Sequence, residues 1–563
     1  MPTLPPALRS IARAVRHRGA WQLVKLGVRV LGSEGTAGVR RRLAAHHAAA
    51  PRLTDPGADP KSFAIITTPH VQHIARHLAA ILTEQGFSAQ ITTDPAGADE
   101  FAHVLVLTPQ MFDRLPPNFI AFQMEQSVSD RWLTGQYLKL LKSARAVLDY
   151  SVDNLTVLRD GGIPLDRLFH VPLDVDPGLL RPDPGPRRGV LFYGDVSSPR
   201  RQRILSRLAT VIPELRIETA LFGPALDQAL CEAAVVLNVH FYEGALLETA
   251  RLTQAMSHGA PVVSEAGADQ DRHGDLAGIV DFAAAGDVED LIRRVRKLLD
   301  DPVHAAARFA TIDAHAARPD NRLRAGFLRF LLAEGLISPA AFDQAVPQWQ
   351  PPAPAPARLC LTLPETPARL AAFAAQAPAA DFTAWAGLRG RPGWRGAALS
   401  HARLCRDLLR QGIHEAIICE DDVVFPDGFQ TRFAAIRDHL DAADDWEMFS
   451  GYVADAGAGW TVRPRCRAGD IDLIDSDRAV SMVFNILRRP VLEHLAAWDP
   501  GNDDPFTNTI DRWLERRKTR VVIALPFLVD HAEGGSTLRA DSVTHYRRLA
   551  DASAGRLSRA AGL

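Results

Sequence analysis

From residue 62 onward, short apolar runs alternate with stretches of helical period, and the pattern occurs twice before a proline-rich break. The runs FAIITT (63–68), FSAQITT (87–93), AHVLVLTP (102–109), FIAFQME (119–125), AVLDYS (146–151) and FHVPLDVDP (169–177) read as strands. Val71, Ile74, Ala75, Leu78, Ile81 and Leu82 keep the helical spacing between the first two. Strands alternating with helices need crossover connections, which predicts a parallel, doubly wound α/β sheet. The stretch RPDPGPRRG (181–189) interrupts it. The same grammar then restarts at GVLFYGD (189–195), with a helix over 201–212 and strands in IETALFG, AAVVLNVHFY and APVVSE. Two such units on a short linker enclose a cleft. The Pro/Ala-rich segment VPQWQPPAPAPAR (346–358) has no helical period and predicts an extended linker to a third unit.

The chain has 563 residues, enough for several domains, with 47% hydrophobic and 23% charged residues, a soluble globular composition. Sixty-four Lys and Arg against 66 Asp and Glu give a net charge of −2, which argues against a nucleic-acid partner for the whole chain. Ten of the basic residues lie within residues 1–54, against the single acid Glu34. There Leu4, Leu8, Ile11 and Val15, then Trp21, Val24, Val28 and Leu31, recur at helical spacing beside Arg9, Arg13, Arg16, Lys25 and Arg29. Such a segment suits an anionic membrane surface, or equally packs on its own protein with a solvated arginine face. No apolar run is long enough to span a bilayer, and the N-terminus lacks a secretory core. The five scattered cysteines form neither a CxxC pair nor a disulfide framework, and cytoplasmic residence is the expectation.

Two stretches carry candidate chemistry. In the second unit, Gly194 lies in a turn after a strand and is followed by Arg200 and Arg201, a possible phosphate cradle. Downstream, NVHFYEGALLETARLTQAMSHGAPVVSE (238–265) places Glu248 and Arg251 on a helix before a Gly-Ala-Pro turn. This arrangement resembles the nucleotide-sugar half of GT-B glycosyltransferases of the family 4 type, with residues 60–180 as the acceptor half. The resemblance implies a UDP-sugar donor, with Glu248 at the ribose and Arg201 or Arg251 at the diphosphate. It implies no cofactor for this module. The position eight residues after Glu243, a glutamate in that group, is Arg251. A surface pair of Glu248 and Arg251 at i, i+3 is the plain alternative.

The second stretch is GWRGAALSHARLCRDLLRQGIHEAIICEDDVVFPDGF (393–429). Gly396 opens a helix of about four turns, and a buried strand then ends in Glu420, Asp421 and Asp422. Three acids at the end of an apolar strand are costly unless a cation or solvent neutralises them. Their spacing suits a hard divalent metal that also takes diphosphate oxygens. The segment closely resembles glycosyltransferase family 25, on Gly396, Ser400, His401, Glu420, Asp421 and Asp422, with DWEMFSGY (445–452), RAVSMVFNILRRPVLEHL (478–495) and TIDRWL (509–514) in the family's order. It implies a GT-A-like fold for residues 358–545 and transfer of a sugar, typically galactose from UDP-galactose. On that resemblance Ser400 and His401 are donor-binding, and Glu420 and Asp422 hold Mn²⁺ or Mg²⁺. Asp421 lies at the ribose, and Asp511 is the base. His531 completes the metal shell. The alternatives are a solvated acidic turn for the cluster, a helix-terminal carboxylate for Asp511, packing for His401 and a structural role for His531. The turn GGST (534–537) binds phosphate or reverses the chain.

The expected organisation is therefore a basic helical segment (1–57), two Rossmann-like halves (58–186 and 187–345), a linker (346–357), the GT-A-like domain (358–545) and a tail (546–563). The resemblances imply a glycosyltransferase acting on a glycan or lipid-linked acceptor of the cell envelope, peripheral to the inner face of the cytoplasmic membrane. Both modules transfer sugars, or only the C-terminal one does and the first binds.

Overall fold

The computed structural model describes residues 54–129, 131–180, 186–347, 357–457, 459–532 and 546–563. The basic segment up to residue 53, the GGST turn, residues 181–185 and residues 348–356 of the expected linker lie outside the described residues. Residues 52–328 form one compact unit and residues 329–563 belong to another.

The first unit holds two sheets. Strands β1 (Ser62–Ile66), β2 (Ser88–Thr92), β3 (His103–Leu107), β4 (Ile120–Gln123), β5 (Ala146–Asp149) and β6 (Leu168–His170) pair in the order β2-β1-β3-β4-β5-β6, all parallel. Strands β3, β4 and β5 are buried along their whole length. Helices cover both faces of such a sheet, which explains unbroken apolar runs in place of alternation. β2 is the half-exposed edge. Strands β7 (Arg188–Tyr193), β8 (Leu215–Glu218), β9 (Ala233–Asn238), β10 (Val262–Glu265) and β11 (Asp281–Ala283) form the second sheet, β11-β10-β9-β7-β8, again all parallel. The ten-residue run AAVVLNVHFY is a strand only to Asn238; Val239–Tyr242 leave the sheet as a loop at its carboxyl edge. IETALFG is a strand only to Glu218, because Gly223 at φ +58° and Pro224 open the next helix, Gly223–Glu232.

The second unit carries an eight-stranded mixed sheet. Its strands are β12 (Ala357–Thr362), β13 (Thr383–Ala386), β14 (Glu415–Glu420), β16 (Met448–Ser450), β17 (Val462–Ala468), β18 (Ile471–Ser476), β19 (Phe484–Arg488) and β20 (Val521–Leu525), while β15 (Val423–Val424) and β21 (Asp530–His531) pair separately. The order is β13-β12-β14-β19-β16-β20-β18-β17. β12, β13 and β14 are parallel, β19 runs antiparallel between β14 and β16, and β17–β18 is an antiparallel ribbon. A core of Phe429, Phe433, Trp446, Phe449 and Phe484 packs against it.

The helices Arg322–Ala333 and Pro339–Ala345 fall in the expected nucleotide-binding half, yet from Arg329 onward they belong to the second unit. Arg329 is buried against Glu365, and Asp343 takes Arg403 at 2.8 Å and Arg406 at 2.9 Å. These ion pairs tie residues on both sides of the Pro/Ala stretch together.

Candidate functional site

In the first unit the carboxyl edge of the second sheet gathers arginines and glutamates. β7 ends at Tyr193, and Gly194 follows at φ +132°, a backbone that favours glycine. A Cβ there would stand 2.8 Å from Arg251 Nη2, so a side chain would push that guanidinium aside. The helix Pro199–Val211 starts at Ser198, whose hydroxyl accepts from the Arg201 amide. Its first turn presents Arg200 and Arg201 toward β9 and β10. Arg200 donates twice to the fully buried Glu265, at 2.8 and 2.6 Å, and to the exposed Glu243 at 3.0 Å. Arg201, 2% exposed, donates to the carbonyls of Val239 (2.9 Å) and Asp195 (2.6 Å) and to Glu248 Oε1 (3.0 Å). Arg251 donates to Asn238 Oδ1 and pairs with Glu248 Oε2, both at 3.1 Å.

Burial alone would raise the pKa of Glu248, but the Arg251 and Arg201 charges outweigh it and hold the carboxyl well below its ordinary range. Glu265 is likewise lowered, because Arg200 and the amides of Gly286 and His240 overcome its burial. The expected donor-binding residues Gly194, Arg200, Arg201, Glu248 and Arg251 therefore do come together. Glu248 and Arg251 are part of a network rather than an isolated surface pair, and Arg200 and Arg201 spend their donors on protein acceptors.

Next to this cluster lies a cavity of about 350 Å³. Tyr150, Ser151 and His170 bring it to the carboxyl ends of β5 and β6; Asp269 and His273, from the loop after β10, and Thr249 and Thr253 close the other wall. Of its lining arginines, Arg272 pairs with Asp153 at 2.9 Å and Arg322 with Asp275 at 2.6 Å. Thr249 adjoins Glu248, and its buried hydroxyl has no hydrogen-bond partner. Open α/β sheets bind ligands beyond the carboxyl ends of their strands. No motif marked these residues; the same rule applied to the residues after AVLDYS and APVVSE would have found them.

In the second unit, β14 ends at Glu420, and Asp421 and Asp422 follow at the sheet's edge. Asp421 Oδ2 accepts from Thr362 Oγ1 at 2.7 Å, and Oδ1 meets Arg369 Nη2 at 2.5 Å. The same Nη2 lies 2.6 Å from Asp422 Oδ2, which His531 Nε2 approaches to 3.3 Å. Burial raises the pKa of Glu420 far above the carboxylate range, and the charges of Asp422 and Asp511 add to the rise. Asp421 is raised by burial, against Arg369. Asp422 is lowered: burial opposes this, but the His531 hydrogen bond and Arg369 prevail. Burial raises Asp511, which sits in the first turn of the helix Ile510–Arg516 and leaves its buried Oδ1 unpartnered.

Glu420, Asp421, Asp422, His531 and Asp511 are thus brought into one neighbourhood. The Ser400 hydroxyl is spent on the backbone, accepting from the Leu388 amide at 2.8 Å and donating to Gly396 O at 2.6 Å, whereas the buried Nε2 of His401 has no hydrogen-bond partner. His401 donates from Nδ1 to Ala397 O at 3.0 Å, and burial pushes its pKa down to about 4. Gly396 is needed for space, since a Cβ would stand 2.7 Å from the Gly390 amide.

The residues do not fit the implied divalent metal. Among the described residues no group of three or more His, Cys, Asp or Glu side chains is arranged to hold a metal ion. Of the expected ligands Glu420, Asp422 and His531, Asp422 Oδ2 already takes Arg369 and His531, which leaves Asp422 Oδ1 and the Glu420 carboxyl, whose pKa burial raises far above the carboxylate range. A hard cation takes about six or more oxygens.

No family model matches the chain, and no curated protein matches it. Among solved structures it is similar to HepE of Anabaena in complex with UDP and glucose, with 12% identity over 49% of this chain and 99% of that one, and a TM-score of 0.35. It is similar to WaaG, a glycosyltransferase involved in lipopolysaccharide biosynthesis, with 11% identity over 48% and 98% and a TM-score of 0.36. A glycosyltransferase of Rickettsia africae matches with 9% identity over 49% and 99% and a TM-score of 0.33. Among the described residues no helix is long and apolar enough to cross a membrane.

Proposed function

We propose that the chain is a glycosyltransferase that takes a sugar from a nucleotide-sugar donor, and that its first unit is a GT-B-type module. The observation that carries this reading is the cavity of about 350 Å³ between the carboxyl ends of two all-parallel sheets, with charged and hydroxyl side chains in its lining. A sugar nucleotide presents ring hydroxyls and a diphosphate, and the lining offers hydroxyl, carboxylate and imidazole groups for the former and arginines for the latter. Glu248 adjoins the cavity through Thr249 and, kept ionised by its arginines, serves in this reading as an acceptor for ribose hydroxyls.

The second unit is, in the same proposal, a GT-A-like family 25 module. Asp511 is its base: a buried carboxylate whose pKa burial raises, with an unpartnered oxygen, suits proton removal. The acceptor oxygen bonds to the anomeric carbon as the bond to the diphosphate oxygen breaks. The proton passes to Asp511, and the nucleoside diphosphate leaves. UDP-galactose is the donor and a cell-envelope glycan, such as lipopolysaccharide or capsule, the acceptor. The basic residues 1–54 hold the enzyme at the inner face of the cytoplasmic membrane.

Both units transfer sugars in this proposal. A second reading, in which the first unit only binds, is favoured by Arg200 and Arg201, whose donors are spent on the protein. UDP release from a panel of UDP-sugars, with cell-envelope glycan acceptors, by the full chain tests all of this. Bifunctionality predicts that Glu248→Gln and Asp511→Asn each abolish release from a different donor. Loss of all release in Asp511→Asn, with none in Glu248→Gln, selects the binding reading. A folded chain that neither releases nucleotide nor binds any UDP-sugar in calorimetry sinks the proposal.

A further inference from the structure

The acidic cluster of the second unit carries its own cation. Arg369 stands on the helix Pro367–Ala374, which follows β12 after a four-residue turn. That turn is anchored from below: Glu365, fully buried, is paired with Arg329, and the Thr366 amide donates to Leu363 O. β12 and β14 are parallel neighbours with Leu361 opposite Glu420, so Thr362 falls beside Asp421 and hydrogen-bonds to it. Just beyond the other end of the helix, Gln376 donates from Nε2 to Val423 O at 3.0 Å and accepts the Phe425 amide on Oε1 at 2.8 Å. The helix is therefore strapped to the acid-bearing loop on both sides, by Arg369 at residues 421–422 and by Gln376 at residues 423–425. Arg369 is not a surface side chain that happens to lean on the acids. Its guanidinium is placed by the same strand pairing that places the carboxylates.

A planar guanidinium offers several donors and keeps its charge at any physiological pH. Between Asp421 and Asp422 it supplies the neutralisation that buried carboxylates require. It occupies Asp421 Oδ1 and Asp422 Oδ2, and with Thr362 on Asp421 Oδ2 one of the four aspartate oxygens is left. We propose that Arg369 is the resident cation of this cluster and displaces a divalent metal from it, so that the second unit holds no metal at Asp421 and Asp422. This inference concerns the cluster's charge balance and stands whether or not the unit transfers sugars.

Mn²⁺ binding to the full-length protein, read by electron paramagnetic resonance of the free ion, tests it without reference to activity. The intact chain should bind Mn²⁺ no more tightly than Asp422→Asn does. Arg369→Met, with folding checked by circular dichroism, should gain about tenfold or more in Mn²⁺ affinity, and Arg369→Met/Asp422→Asn should lose that gain. An intact chain that binds one Mn²⁺ about tenfold more tightly than Asp422→Asn overturns the proposal. So does a folded Arg369→Met protein with no gain, because Arg369 would then not be what keeps metal out. If Arg369→Met does not fold, the comparison of the intact chain with Asp422→Asn decides alone.

Discussion

Two clusters of arginine and carboxylate lie at the carboxyl edges of sheets in this chain, and their charges balance differently. In the first unit three arginines (Arg200, Arg201, Arg251) meet three glutamates (Glu243, Glu248, Glu265). In the second, Arg369 is paired with Asp421 and Asp422, and Glu420 and Asp511 stand in the same neighbourhood. The consequence is opposite shifts. Arginine charges hold Glu248 and Glu265 below the ordinary carboxylate range, whereas burial and mutual repulsion raise Glu420 and Asp421. A balanced cluster is locked in one ionic state and serves to shape the loops around a cavity. An acid-rich one holds its carboxyls above their ordinary pKa range, the direction that suits general acid–base chemistry.

The sharpest way to break this contrast is to unbalance the first cluster. Glu265→Gln keeps the shape but leaves Arg200 with the exposed Glu243 and a carbonyl as its remaining partners. Removing one member of a buried pair costs about 3–5 kcal/mol. Calorimetry should show the transition of the first unit falling by on the order of 10 °C. A shift under about 2 °C would mean that the network is not the lock described.

A smaller effect comes from pH and the second cluster. A carboxyl whose folded pKa is raised, such as Glu420, gives stability that is complete below its unfolded value and is lost as pH rises through the folded one. Glu420→Gln removes that loss. The variant should therefore gain on the wild type as pH rises above the ordinary glutamate range, by about 2–4 °C in Tm for each kcal/mol recovered. Glu248, with a lowered pKa, has the reverse sign: its contribution is present above its unfolded value and is lost as pH falls through the folded one. Whole-unit pH scans do not isolate this, because burial raises Glu125 to about 7 and Asp149 to about 8 elsewhere in the first unit. Wild type against variant at each pH does. Parallel curves for Glu420→Gln and wild type would refute the raised state of Glu420.

The parallel sheets were legible because strands buried on both faces are unbroken apolar runs, as in β3 and β5. The ribbon β17–β18 was not, since VRPRCRA alternates weakly and carries a proline and three arginines. In the first site Gly194 was readable from its turn and Glu248 and Arg251 through the resemblance, but the saturation of Arg200, Arg201 and Arg251 depends on Glu265, Val239 O and Asn238, at the ends of other strands or just beyond them. Arg369 escaped notice for the same reason. It lies 53 residues before Asp422, and only the parallel pairing of β12 with β14 brings them together. Local sequence records what each strand end offers; the partner that neutralises it arrives through sheet topology.

The smallest effect completes the comparison. Glu243 balances the first cluster by count, but its side chain is 89% exposed, and a solvated pair at 3.0 Å has little Coulomb energy left after water screening. Glu243→Ala should cost about 0–1 kcal/mol and fade further in high salt. Arg200 would keep both bonds to Glu265, and Glu248 would keep Arg201 and Arg251. A loss as large as that of Glu265→Gln would mean that balance by count, rather than the buried pairs, holds the cluster. The near-neutral result assigns the lock to Glu265 and Glu248. It also leaves Glu243, at the loop rim, the one acid of the three that can move without disturbing the others.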